Sequence, residues 1–124
     1  MQTKIAIATE DGVHVSAHFG RAPYFQVVTI ADGKIVASER REKAHHQGGH
    51  HEHNDHAGND THAGGMVAAV GDCAVIIAGG MGSPAFAAIQ AAGLTPILTD
   101  EREIDQAAQA YASGTLVNRT ERVH

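Results

Sequence analysis

The second half of the sequence alternates short apolar runs with helix-forming segments, and this alternation constrains the fold more than any other feature. CAVIIA (73–78) is continuous and apolar, as expected of a strand that is buried on both faces. We predict a helix with Ser83 as its N-cap and its end at Gly93, a short strand at 94–98, and a last helix that ends at Gly114. Strands that are joined through helices pair in parallel.

The first half of the sequence predicts three strands, two of which form a hairpin. KIAIAT (4–9) is typical of a buried strand. YFQVVTI (24–30) and KIVASER (34–40) flank Asp32-Gly33. Asp-Gly between two β-prone runs is a strong hairpin signal, because both turn residues must tolerate positive φ. These strands should pair antiparallel.

Between the two halves, a further helix with a stop at Gly71 is predicted from apolar residues at helical spacing: Ala63, Met66, Val67 and Val70. A capping-box pattern, Asp100 with Glu103, marks the start of the last helix. The chain is long enough for one domain (1–124) of the α/β class, with residues 115–124 as a C-terminal tail or a short terminal strand. The predicted order is β-β-β-(His-rich loop)-α-β-α-β-α around a mixed five-stranded sheet.

Charge and cysteine content exclude several classes of function. The formal net charge of -5 provides no basic face for a nucleic acid or an anionic membrane. The single cysteine, Cys73, cannot form an intrachain disulfide or an all-cysteine metal cage, and we expect it in the core. The start of the chain, MQTKIAIATEDG, resembles neither a signal peptide nor a spanning helix, so we expect a cytoplasmic protein.

The flexible loop predicted at 43–62 carries seven of the ten histidines. Imidazole binds Zn, Ni, Co and Cu well, and a mobile chain can gather several copies around one ion. The candidate metal ligands are His45, His46, His50, His51, His53, His56 and His62. A solvated loop without physiological metal is the alternative. Residues 51–56 fit the H-x-H-x-D-H motif of metallo-β-lactamase-like hydrolases, but a Gly-rich loop lacks the rigidity that such a centre needs.

Two turns carry the residues best suited to bind a ligand. GGMG (79–82) connects a buried strand to a helix N-terminus, where glycines permit close approach and free N–H groups favour an anion. The stretch 13–25 carries His18, a potential metal ligand, and Arg21, a fixed cation. If the first and fourth strands are neighbours, both turns emerge at the edge where open α/β sheets bind ligands. Purely local structural roles for these residues are the alternative.

The sequence KIAIATEDG…VSAHFGRAPYFQVV, a His-rich stretch, and then DCAVIIAGGMGSPAFAAIQAAGLTPI together resemble the dinitrogenase iron–molybdenum cofactor biosynthesis family. This family contains NifX- and NifY-like domains, the C-terminal extension of NifB-like proteins, and small stand-alone homologues. The resemblance spans about residues 4–112. Its two marks, H-F-G-R-A-P-x-F and G-G-M-G, occur together and in the right order.

The resemblance implies a three-layer α/β/α, ribonuclease-H-like fold that carries, stores or inserts an anionic metal–sulfur cluster or its precursor. It implies His18 as a cluster ligand and Arg21 as an anion partner. The full set of implied binding residues is His18, Phe19, Gly20, Arg21, Gly79, Gly80, Met81, Gly82 and Ser83. The expected partners are the metallocluster and a cluster-assembly or acceptor protein.

The sequence leaves two other functions open. A divalent-metal buffer or chaperone would act through the histidines of 45–62. A ribonuclease-H nuclease would need acidic residues on the central strands, but KIAIAT carries none before Glu10 and Asp11. Because no Ser-His-Asp or Cys-His arrangement stands out either, we expect a binding domain without enzymatic activity.

Overall fold

The computed structural model describes residues 2–42 and 70–123. Within these ranges the strands are β1 (Gln2–Thr9), β2 (Tyr24–Ala31), β3 (Lys34–Glu42), β4 (Val75–Ala78) and β5 (Thr95–Leu98). The α-helices of the same ranges are α1 (Ser83–Ala91) and α2 (Ile104–Ser113). Neither of these helices has the length and apolar character that crossing a membrane requires. The predicted His-rich loop, and the helix predicted from Ala63 onward up to residue 69, lie outside the described residues.

The strands form one mixed sheet in the order β3-β2-β1-β4-β5. β2 pairs antiparallel with both β1 and β3, whereas β4 pairs in parallel with β1 and β5. Asp32 and Gly33 both have positive φ, at 54° and 77°, as the hairpin prediction required. The predicted five-stranded mixed sheet is therefore confirmed. The first and fourth strands are neighbours, which is the condition under which both ligand-binding turns were expected to emerge at one edge.

Each face of the sheet is covered by one of the two helices. Because side chains alternate along a strand, Ala6 and Ala8 face one core, whereas Ile5 and Ile7 face the other. α1 packs into the first core through Ile89, and α2 packs into the second core through two residues that lie one turn apart, Ile104 and Ala108. The alternation of β1 thus builds two hydrophobic layers from one strand.

Cys73 lies in the core next to α1 and is 6% exposed. Burial raises the pKa of its thiol to about 11, so the group is protonated at neutral pH. The prediction that Cys73 is a core residue is confirmed.

The predicted helix ends are confirmed and the predicted starts need correction. Gly93, which follows the C-cap residue Ala92 of α1, and Gly114, the C-cap of α2, adopt positive φ, the conformation that lets glycine end a helix. The N-cap of α1 is Gly82, however, so Ser83 is the first helical residue rather than the cap. The N-cap of α2 is Glu103, and the predicted capping-box partner Asp100 forms an ion pair with Arg119 instead.

The C-terminal segment (115–123) lies along the outer edge of β5. Asn118 accepts a hydrogen bond from the Leu98 amide through Oδ1 (3.0 Å) and donates through Nδ2 to the Pro96 carbonyl (3.2 Å). The Arg119 amide donates to the Leu98 carbonyl at 2.7 Å. The predicted tail thus supplies partners to a strand that has only one neighbour in the sheet.

Candidate functional site

The loop after β1 and the glycine turn after β4 are directly hydrogen-bonded to each other. The Gly79 amide donates to the Ser16 carbonyl at 2.8 Å, and the Phe19 amide donates to the Gly80 carbonyl at 2.9 Å. The Ser16 amide also donates to the Ala8 carbonyl at 2.7 Å, which ties the loop to the end of β1. The two predicted turns therefore meet at one edge of the sheet, as the pairing of β1 with β4 requires.

Gly79 makes this close approach possible. A Cβ atom at this position would lie 3.0 Å from Cα of Ala17 and 3.2 Å from the Ser16 carbonyl oxygen. Both neighbours are backbone atoms, which cannot move aside by changing rotamer. Glycine at position 79 is thus needed for packing rather than for an unusual φ.

A cleft of about 650 Å³ opens beside the paired turns. Three loops line it, and each follows a strand that ends at this edge: β1, β4 and β5. The lining residues are His14, Val15, Ala17, His18, Gly79, Gly80, Thr99, Asp100, Glu101 and Arg102. The third wall (99–102) was missed from the sequence. Because β5 is parallel to β4, the rule that identified the first two loops also applies to the third.

Only part of the predicted binding set lines the cleft. His18, Gly79 and Gly80 line the cleft, and His18 is exposed. Phe19 and Met81 are buried in the core next to α1, so their side chains support the two turns from below. The remaining predicted residues lie outside the lining: Gly20, Arg21, Gly82 and Ser83. Arg102, which the sequence did not indicate, supplies a guanidinium to the cleft wall.

Two carboxylates next to the cleft hold the first loop in place. Asp11 accepts hydrogen bonds from the amides of Val13 (2.9 Å) and His14 (2.8 Å) through Oδ1. Its Oδ2 lies 2.7 Å from Nδ1 of His14. Ser16 donates to Glu10 through its hydroxyl group at 3.1 Å. These contacts assign Glu10 and Asp11 a structural role in the loop.

The contact between Asp11 and His14 shifts the pKa values of these two side chains in opposite directions. The hydrogen bond to Asp11 raises the pKa of His14, and the hydrogen bonds from His14 and Val13 lower the pKa of Asp11. Nε2 of His14 also lies 3.7 Å from a carboxylate oxygen of Glu103. Protonated His14 is therefore favoured between two carboxylates that belong to different loops.

Backbone hydrogen bonds join the first wall of the cleft to the third. The Val15 amide donates to the Arg102 carbonyl at 2.8 Å, and the Ile104 amide donates to the Val13 carbonyl at 3.0 Å. Since Val15, Arg102 and His14 all line the cleft, this pairing fixes its width on one side.

The described residues include no group of three or more His, Cys, Asp or Glu side chains placed to hold a metal ion. The cleft instead combines two exposed imidazoles, His14 and His18, with the Arg102 guanidinium, the carboxylates of Asp100 and Glu101, and a glycine-rich backbone wall. Such a set suits a ligand that is held by few coordinating side chains. The predicted metal ligands His45, His46, His50, His51, His53, His56 and His62 lie outside the described residues.

Over residues 1–114 the sequence matches the family described as dinitrogenase iron-molybdenum cofactor. The structure is similar to the apo form of the orange protein from Desulfovibrio gigas (25% identity, 94% of this chain and 92% of that chain, TM-score 0.69). It is also similar to a candidate dinitrogenase from Methanocaldococcus jannaschii (15% identity, 97% of both chains, TM-score 0.67). A third similar structure is a candidate NifB protein from Thermotoga (23% identity, 94% and 92%, TM-score 0.62). No curated protein matches the chain.

Proposed function

Because this chain belongs to the dinitrogenase iron–molybdenum cofactor family, we propose that it is a non-enzymatic carrier of an iron–molybdenum-type metal–sulfur cluster or a precursor of one. The cluster is its cargo and binds in the cleft between the three loops. The observation that carries this proposal is the hydrogen-bonded meeting of the His18 loop with the Gly79 turn at an open cleft. The family match includes all three loops.

The dimensions and chemistry of the cleft support a carrier. A volume of about 650 Å³ is in the range of small-ligand sites. His18 can coordinate one metal atom, and Arg102 can pair with negative charge on the cluster. Because a carrier must release its cargo, one coordinating residue in an open cleft is better suited than a closed cage of several ligands.

The same proposal includes three features that follow from the family resemblance. They are a ribonuclease-H-like three-layer arrangement, a cytoplasmic location, and a cluster-assembly or acceptor protein as partner. The proposal also includes the roles that the resemblance implies for Arg21, Gly82 and Ser83, which lie near the cleft loops in sequence but outside the lining.

Anaerobic titration of the apo protein with tetrathiomolybdate, a soluble molybdenum–sulfur dianion, tests the proposal. We expect a visible-absorption change that saturates, and we expect His18→Ala to weaken binding by about tenfold or more through loss of a ligand to a charged group. Arg102→Gln should also weaken binding, whereas Lys34→Gln, at the distant hairpin, is the matched control for loss of one positive charge. Wild-type protein that does not bind, or His18→Ala that binds equally well, contradicts the proposal.

Arg21→Gln in the same titration separates the two candidate anion partners. If Arg21→Gln weakens binding and Arg102→Gln does not, the anion lies at the turn Phe19–Arg21 rather than in the cleft.

A second candidate function rests on the density of histidines in 45–62. In this role the chain buffers or delivers a divalent metal such as Zn, Ni or Co. Calorimetric titration with each metal should show binding that disappears when 45–62 is replaced by a Gly/Ser segment of equal length. Affinity that survives the replacement places the metal elsewhere.

A further inference from the structure

The C-terminal segment brings a cation to the third wall of the cleft. Nε of Arg119 forms an ion pair with Oδ2 of Asp100, and Asp100 lines the cleft. Nη1 of Arg119 lies 3.6 Å from a carboxylate oxygen of Glu121, a longer and weaker contact. The guanidinium is therefore directed principally to the cleft wall.

The position of Arg119 is set by its backbone and by its neighbour. Its amide donates to the Leu98 carbonyl at 2.7 Å, and Asn118 forms two hydrogen bonds with the backbone of β5. Leu98 ends β5, and Asp100 follows two residues later. These contacts place the guanidinium beside Asp100. Asn118 and Arg119 themselves lie beyond the 1–114 region of the family match.

The charge of the third wall depends on this pair. In the lining of this wall, Asp100 and Glu101 each carry a carboxylate and Arg102 carries a guanidinium. Without Arg119 the wall would carry a net negative charge, which repels an anion. The side chains of Arg119 and Asp100 are 43% and 46% exposed, so salt in the solvent should screen the effect.

We propose that Arg119 is a positioning residue that compensates the charge of Asp100 and thereby sets the affinity of the cleft for an anionic cargo. The proposal rests on the proposed function, because it concerns the same cleft. Arg119 need not touch the cargo. It acts by removing an unfavourable charge from the wall, and its effect therefore requires Asp100.

Titration with tetrathiomolybdate and, separately, with inorganic molybdate tests this dependence. We expect Arg119→Gln to weaken binding by about fivefold at low ionic strength, the upper end for an exposed pair. Arg119→Lys should retain most of the affinity. Asp100→Asn combined with Arg119→Gln should restore it, because the carboxylate charge that Arg119 offsets is then absent. Glu121→Gln, which removes the other partner of Arg119, should have little effect.

Two readouts separate charge compensation from simple damage to the fold. The loss of anion affinity in Arg119→Gln should become smaller as ionic strength rises from about 0.02 M to about 0.5 M. Thermal unfolding of each variant shows whether the C-terminal segment remains docked. The proposal is overturned if the additional Asp100→Asn substitution does not restore the affinity lost in Arg119→Gln, or if that loss of affinity is independent of salt. It is also overturned if Arg119→Gln binds with wild-type affinity.

The two probes also separate this proposal from the function it rests on. Wild-type protein that binds only molybdate, with the expected dependence on Arg119, contradicts the cluster carrier and supports charge compensation. Binding of tetrathiomolybdate that is unaffected in Arg119→Gln supports the carrier and overturns charge compensation. If neither anion binds, both proposals are wrong.

Discussion

At the scale of single residues, Gly79 controls how closely the two cleft loops approach. Its missing Cβ leaves the space in which the backbone of Ser16 and Ala17 lies. Gly20, in the same pair of loops, has no described atom within 4 Å of its hypothetical Cβ and no positive φ. A methyl group added at Gly79 would therefore meet the backbone of the facing loop, whereas one added at Gly20 would meet no described atom.

We predict that Gly79→Ala destabilises the protein by about 1–3 kcal/mol, the usual cost of forcing an extra methyl group into packed surroundings. Gly20→Ala should change the free energy of unfolding by no more than about 0.5 kcal/mol. Urea unfolding of both variants measures the difference. Equal stability of the two variants would show that the loops can separate without cost.

At the scale of elements, the pairing of loop 11–15 with residues 102–104 determines the width of the cleft. Its side-chain component is His14 between Asp11 and Glu103, and its backbone component is the Val15–Arg102 hydrogen bond. The His14 imidazole gains and loses a proton, whereas the backbone hydrogen bond does not titrate. The strength of the pairing between the two loops should therefore depend on pH.

The sign of this dependence follows from the two pKa shifts. Asp11 raises the pKa of His14, so stabilisation by protonated His14 is complete below its unfolded pKa of about 6.5 and is lost as pH rises through the folded value. The pKa of Asp11 is lowered, so its contribution is complete above about 3.9 and is lost as pH falls through the folded value. The pairing is strongest between these limits.

We therefore predict that hydrogen-exchange protection of the Val15 amide, corrected for intrinsic exchange, decreases as pH rises from about 6 to about 8.5. The cause is loss of the proton that His14 shares with its carboxylate neighbours. His14→Gln should lack this dependence. An identical pH profile in wild type and variant would rule out His14 as its source.

At the scale of the whole molecule, the C-terminal segment connects parts of the fold that are far apart in sequence. Leu116 packs against the core next to α2, and Val123 packs against the core next to α1 and pairs with Met81. Between them, Asn118 and Arg119 cover the free edge of β5. The segment thus contacts both faces and one edge of the sheet.

We predict that deletion of residues 115–124 lowers the melting temperature and promotes self-association, because it exposes the edge of β5 and apolar surface in both cores. Calorimetry and analytical ultracentrifugation measure the two effects. Val117→Ala is the control within the same segment, since Val117 is 61% exposed and should contribute little. A truncated protein that stays monomeric with unchanged melting would show that the segment is dispensable.

Rules that depend on neighbouring residues in sequence were sufficient to predict much of the secondary structure of this protein. The positive φ values of Asp32 and Gly33, the helix ends at Gly93 and Gly114, and the buried run 75–78 each depend on a few neighbouring residues. Parallel pairing then follows from helical connections, which is why the sequence alone predicts the mixed sheet and indicates that the His18 and Gly79 loops meet.

Tertiary structure alone decided which side chains surround the cleft. Arg102 rather than Arg21 lies on its wall, and Asp100 pairs with Arg119 instead of capping α2. Phe19 and Met81, predicted at the binding site, are buried beneath it. Each of these outcomes depends on contacts between segments that are distant in the chain. Periodicity and capping patterns describe only neighbours in sequence, so they carry no information about such contacts.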